Sequence, residues 1–309
     1  MALSDNTRGA LLMMGSMAAF TVNDTFMKSL SGDLPLAQAI FLRGLATTAL
    51  TLLLARALGQ LRFRLPRRDA GLLALRTAGE IGAVYFFLTA LFNMPLANAT
   101  AILQALPLAV TLAGAVVFGE RLGWRRLTAI LVGFAGVLLI VRPGTAGFSI
   151  YSLYVLGAVA CVTLRDLAVR RMSVALPSLT VAFVASAAVT ATFGLVAAFQ
   201  PWQPVSPGSA ALLLCAALSI MTAYILSVAT MRVGELAVVA PFRYTGLVVA
   251  LILGYAVFGD FPEAITLAGA ALVVATGAFT LWRERQIART AARAAMTPNP
   301  RVDTPPDSL

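Results

Sequence analysis

Few side chains in this 309-residue chain could do chemistry, and most of them lie where charge is expensive. Asp24, Arg43, Arg76, Glu80, Arg165, Asp166 and Arg243 stand inside or at the ends of otherwise apolar runs. An ionisable group in lipid is costly, so each one predicts a partner, a watered pathway or a function. Glu80 is the acid nearest the middle of such a run, and Arg76 lies one helical turn earlier on the same face. A carboxylate there suits proton coupling or contact with a substrate amine. Asn23, Tyr85, Thr100, Gln104, Tyr224 and Tyr244 add hydrogen-bonding groups within the same runs. They read as the polar wall of a substrate pathway, or as bonds between helices. There is no His, which removes His-ligated metals and the commonest general base, and 2 Cys make neither a zinc cluster nor a disulfide framework. Cys161 and Cys215 read as small apolar residues. We expect no metal, no cofactor and no enzyme, because no nucleophile stands beside a base.

The elements that hold these groups follow from composition. The chain is 60% hydrophobic and 12% charged, where a soluble domain carries about 25% charged residues. A membrane-crossing helix needs about 20 mostly apolar residues. Ten stretches qualify: 9–28, 36–56, 70–92, 97–118, 124–141, 150–168, 178–198, 209–230, 236–258 and 262–282. Irregular backbone cannot face lipid, so the fold class is an all-α polytopic membrane protein. The run at 9–28 reads as a span, with no small-residue cleavage site to mark a removable leader.

The net charge of +10 could suggest nucleic acid, but position decides otherwise. With the N-terminus cytoplasmic, 17 of the 23 Lys and Arg fall on the cytoplasmic side and 2, Lys28 and Arg142, on the other. Cytoplasmic loops concentrate basic residues, so both termini are expected inside and no nucleic acid is expected. Residues 1–8 form a short cytoplasmic N-terminus. Residues 283–309 form a basic cytoplasmic tail, helical to about Met296 and suited to anionic lipid, with a disordered end.

The chain also repeats itself. Asn23, Asp24, Lys28, Pro35 and Phe41 correspond to Arg165, Asp166, Arg170, Pro177 and Phe183 at one offset, 142. Phe118-Gly119-Glu120 corresponds to Phe258-Gly259-Asp260, and Leu96-Ala97 to Leu236-Ala237, at offset 140. Each unit, 9–141 and 150–282, holds five spans. An odd number makes the second copy enter the membrane from the opposite side. Inverted repeats place a site near the midplane and supply two interchangeable gates.

With Ile130–Val137 and its echo at Gly269–Val273, and with Pro35 eight residues before Arg43, these motifs resemble the drug/metabolite transporter superfamily, in particular its EamA-domain type. The second copy departs in having Asp260 for Glu and Ala185 where the first has Arg43. The resemblance implies a secondary transporter of small organic solutes in a bacterial inner membrane. Export of amino acids or related metabolites is the first expectation, and uptake of a nucleoside-like or vitamin-like solute the alternative. A channel or an intramembrane enzyme is the rival class.

Depth along the helices assigns the charges. Asp24 and Arg43 fall at one height toward the outer side, which predicts an ion pair, either an outer gate or a permanent pair that orients two helices. Asp166, Arg165, Arg76 and Arg243 fall toward the inner side as a cluster with surplus positive charge, which reads as an inner gate, as a landing point for an anionic group, or as Arg side chains snorkelling to the headgroups. Pro107 and Pro241 predict breaks in the fourth and ninth spans. Gly133, Gly136, Gly269 and Gly277 predict close helix contact, within the chain or in a homodimer.

Overall fold

The structure is a computed structural model and describes residues 5–61, 66–119, 123–145, 147–173, 176–233 and 239–296, apart from the side chains at 231–232, 284–285 and 287–296. Glu120, Leu236, Ala237 and the tail beyond Met296 therefore lie outside the described residues. Those residues form helices and no strand. In order they are α1 (Asp5–Ser29), α2 (Leu36–Ala57), α3 (Arg67–Asn93), α4 (Leu96–Leu103), α5 (Leu106–Phe118), α6 (Trp124–Val141), α7 (Ile150–Arg171), α8 (Ser178–Ala198) and α9 (Pro207–Val233). A 3-10 turn (Ala240–Tyr244) then leads into α10 (Thr245–Phe258), and α11 (Ala264–Met296) ends the described chain.

Nine stretches are long and apolar enough to cross a membrane, counting α4–α5 and the 3-10 turn with α10 as one each. α1, of 25 residues, contains the expected run 9–28 but carries Asp5, Arg8, Asp24 and Lys28 and is not one of the nine. α2, α3, α4 and α8 each begin directly after a proline, at Pro35, Pro66, Pro95 and Pro177. Proline has no N–H to leave unpaired there. α5 and α10 end on Gly119 and Gly259 at φ +68° and +70°, a left-handed cap that glycine takes without a Cβ clash. The basic segment after Trp282 continues the tenth span as one helix, α11, rather than starting a separate element.

Packing obeys the repeat. α1 lies along α9, and its repeat image, α7 along α3, is the second large contact. α2 packs on its own image α8, and α6 on its own image α11. Those two seams therefore straddle the pseudo-two-fold axis. In the first, Thr48 Oγ1 lies 2.8 Å from Ser186 Oγ and 3.0 Å from Thr190 Oγ1. The Gln38 amide closes one end of it, donating to the Gln203 carbonyl at 2.7 Å and accepting from the Gln203 N–H at 3.0 Å. In the second, a Cβ on Gly136 would sit 2.9 Å from the Gly269 carbonyl, and one on Gly269 would sit 2.6 Å from the Gly136 carbonyl. These backbones touch because neither residue has a side chain. Gly133 meets Leu108 and Thr276, and Gly277 meets the Tyr244 hydroxyl. All four glycines make close helix contacts within the chain, the first of their two expected uses.

Spans 4 and 9 are broken at related places. α4 ends at Leu103 and α5 starts at Leu106, while the ninth span opens as the Ala240–Tyr244 3-10 turn. The Gln104 side chain donates to the Tyr244 carbonyl at 3.4 Å, so the two breaks face each other. Interrupted helices meeting at the repeat interface are how carriers build a site within the membrane.

Candidate functional site

Successive residues on a helix point 100° apart, so neighbours in sequence face different partners. On α1, Ser16 donates to the Ala223 carbonyl of α9 at 2.8 Å, Thr21 to the Gly246 carbonyl of α10 at 3.3 Å, and Phe20 meets the Tyr224 ring edge-on at 5.5 Å. Asn23, buried, turns toward α2. Its carbonyl oxygen accepts from Arg43 Nη1 at 3.0 Å, and its amide nitrogen donates to Asp24 at 2.9 Å. The expected Asp24–Arg43 ion pair is thus replaced by a relay. Among the described residues the two charges do not approach within 4.0 Å, because Asn23 stands between them.

The second dipeptide repeats this motif. Arg165 Nε donates to Asp166 at 3.0 Å, as Asn23 does to Asp24. Arg165 Nη1 reaches across to Glu80 of α3 at 3.2 Å, and Arg76 pairs with the same Glu80 oxygen at 3.4 Å. The chain Arg76–Glu80–Arg165–Asp166 therefore balances two cations with two anions. Glu80 joins the expected cluster, and Arg243, although exposed, lies near enough to Asp166 and Arg165 to interact with both, so the group counts three cations to two anions. Arg76 still has Nε and Nη1 buried without an acceptor.

Between α2, α3, α8 and α9 lies a cavity of about 480 Å³. Both repeats wall it. Arg43, Arg76, Glu80 and Tyr224 line it, with Thr47 and Thr51 on the α2 side and Met221 on the α9 side. Its lining runs from Ile40 and Val189 to Leu58, Gln60 and Ser178, which belong to the end of the bundle that carries both termini. At the other end, Lys28 Nζ donates to the Leu91 and Met94 carbonyls at 3.2 and 2.8 Å and lies 5.3 Å from the Phe258 ring centre. The Phe41 and Trp202 rings meet edge-on there at 6.3 Å, and Ser209 donates to Asp33 at 3.0 Å.

A family model described as "EamA-like transporter family" matches residues 7–142 and again 149–282. The chain belongs to the EamA-like transporter family. Among relatives of this EamA-like transporter, the "S-adenosylmethionine uptake transporter" of Rickettsia prowazekii is 28% identical over 194 residues, 62% of this chain and 65% of that one. The chain thus spans slightly less than two thirds of the length of that relative. The "Pseudopaline exporter CntI" of Pseudomonas aeruginosa is 29% identical over 275 residues, 86% of this chain and 93% of the exporter. The "Riboflavin transporter" of Vibrio cholerae is 28% identical over 294 residues, 91% of this chain and 97% of that one. A solved crystal structure, 20% identical, has the same fold at a TM-score of 0.63 and covers 89% of this chain and 97% of its own.

The residues expected at the site of this EamA-like transporter divide accordingly. Arg43, Arg76, Glu80 and Tyr224 share the cavity wall, with Asn23, Asp24, Arg165 and Asp166 bonded to them directly or through one residue. Tyr85, the repeat image of Tyr224, lies outside the lining in a ring cluster with Phe86 at 5.3 Å and Tyr154 at 6.3 Å. Thr100, Gln104, Arg243 and Tyr244 also stand outside it, at the paired breaks of spans 4 and 9. Sequence reasoning missed Lys28 as more than a loop charge. Its place beside the carbonyls that end α3 was signalled only by a cation in the last turn of α1.

Proposed function

We propose that this EamA-like transporter is a secondary carrier of the bacterial inner membrane, with both termini in the cytoplasm, and that it exports amino acids or related small metabolites by alternating access. One observation carries the reading. A cavity with buried charge is walled by both repeats, and its lining reaches the end that bears the termini, while Lys28, Gln38 and Trp202 tie the other end together. On the 17-to-2 basic-residue orientation, that arrangement is inward-facing, loaded from the cytoplasm.

Glu80 is the acid on the cavity wall, so a proton-coupled cycle would use it. Arg43 with Asn23–Asp24, and Arg76 with Arg165–Asp166, are the ionic groups whose rearrangement opens one side or the other. Uptake of a vitamin-like solute is the second reading, favoured by relatives named for S-adenosylmethionine uptake and riboflavin transport.

Proteoliposomes decide between these. Saturable counterflow of a metabolite, faster from the side of the termini, supports an exporter. Faster entry from the opposite side supports uptake. Flux that never saturates refutes a carrier.

A further inference from the structure

The two halves of the cavity wall are chemically unequal. Positions 43 and 185 are related by the repeat and both line the cavity, yet one is Arg and the other Ala. Among the described residues, every charged group on the wall comes from α2 and α3. The α8–α9 side is mainly apolar, through Ala182, Ala185, Val189, Ile220, Met221 and Ile225.

The charges are also unequally occupied. Glu80 is bracketed by Arg76 and Arg165 at 3.4 and 3.2 Å, so its carboxylate already has partners. Arg43 instead spends Nη1 on the neutral Asn23 amide, and no carboxylate lies within ion-pairing distance of it among the described residues. Arg43 is therefore the wall cation without a carboxylate of its own, whereas Arg76, with Nε and Nη1 still open, already shares Glu80, and a planar guanidinium matches a carboxylate best. A volume of about 480 Å³ holds a body well beyond a bare anion.

We infer that the cavity takes a carboxylate-bearing amphiphile, with its acid end on Arg43 and its apolar body along the α8–α9 wall. This rests on the carrier reading and names the substrate class. The unequal repeats give such a molecule one orientation. Among the described wall residues the acid is Glu80, already bracketed by two arginines, and Asp24 lies off the wall, so the carboxylate and the apolar body carry recognition.

The test uses the full chain in lipid nanodiscs and four probes: 3-phenylpropionate, L-phenylalanine, L-phenylalaninamide and L-serine. Thermal stabilisation titrations should give 3-phenylpropionate and L-phenylalanine at least about a tenfold lower half-saturation than the amide, the scale of one charge-assisted hydrogen bond. L-serine, which lacks the apolar body, should also bind about tenfold more weakly. Arg43→Gln should erase the acid-over-amide preference, and Arg43→Lys should keep part of it. Met221→Gln should narrow the gap between L-phenylalanine and L-serine while leaving the acid-over-amide ratio intact. These ratios are internal to each variant, so a general loss of stability does not mimic them. Equal binding of amide and acid, equal binding of serine and phenylalanine, or no stabilisation by any probe overturns the proposal. The carrier reading is checked separately and without ligand. A cysteine replacing Thr47 on the cavity wall should react with impermeant thiol reagents from both faces of the membrane. If it does so while the probes fail, the substrate class is wrong and the carrier stands.

Discussion

Lys28→Met should move this carrier toward its far-side-open state. Methionine keeps the length and apolar stem of lysine but donates nothing. The change removes two hydrogen bonds, to the Leu91 carbonyl at 3.2 Å and the Met94 carbonyl at 2.8 Å, and the contact with the Phe258 ring at 5.3 Å. Hydrogen bonds from a charged donor contribute about 1.5–3 kcal/mol each when buried. Lys28 is only half-buried, so we take the lower end and assign about 2 kcal/mol to the set. The bonds tie α1 to the end of α3, two helices that must separate if this mouth opens, so that energy enters the open–closed equilibrium. It corresponds to about a 30-fold change in the ratio. A far-side-open population of about 1% would rise to roughly a quarter. The assay is outside labelling of Thr47→Cys in sealed vesicles, with Cys161 and Cys215 replaced by serine. The labelling rate should rise about 20-fold in Lys28→Met and stay near the parent in Lys28→Arg. A change under about twofold in a folded protein, or a rise in labelling from the inside instead, refutes the assignment of Lys28 as a latch.

Glu80→Gln should lower the melting temperature, because Arg76 and Arg165 lose their shared counter-charge, and an unpaired buried charge costs about 3–5 kcal/mol. If Glu80 couples protons, the same variant should lose gradient-driven accumulation while exchange persists, and retained pH-driven accumulation removes it from that role. Asn23→Ala should destabilise by about 1–3 kcal/mol in denaturation, since it strips the hydrogen bonds of both Arg43 and Asp24, and the loss should exceed that of Asp24→Asn. Gly136→Leu should abolish folding or force α6 from α11, seen as loss of monodisperse protein, because the Gly269 carbonyl occupies the space. A cysteine at Ser206 should label from outside intact cells, and labelling from inside only breaks the proposed orientation.

Much of this architecture could be read from the sequence because lipid imposes it. A run of about 20 apolar residues has one stable fate, so the spans match the helices closely at both ends, apart from α11, which continues to Met296, well past the apolar stretch that ends at residue 282. Arg76–Glu80 was legible as neighbours on one helical face. Arg165–Glu80 was not, because it joins residues 85 apart, and only the packing of α7 on α3 brings them together. The partner of Arg43 was missed for a rotational reason. Asn23 and Asp24 have nearly the same height on α1, and 100° of turn decides which one faces α2. Tyr85 and Tyr224 are equivalent by the repeat, yet one lines the cavity and the other does not, since the wall is not built symmetrically. Pro107 and Pro241 announced that spans 4 and 9 break, but the breaks fall beside Gln104 and Tyr244, where the two spans meet.

The two seams that straddle the pseudo-two-fold axis have a genetic consequence. In each, a helix of the first half meets its own counterpart from the second, α2 on α8 and α6 on α11. Before such halves were joined in one gene, those seams would have been the contact between two copies of a five-helix ancestor lying antiparallel in the membrane. The covalent link across residues 142–149 then adds proximity rather than any contact the halves lack. Cut at Gly144, the gene should yield two fragments that find each other when made in the same cell. Gly136 and Gly269, pressed backbone to backbone, should be the positions at which a single methyl group prevents the reunion.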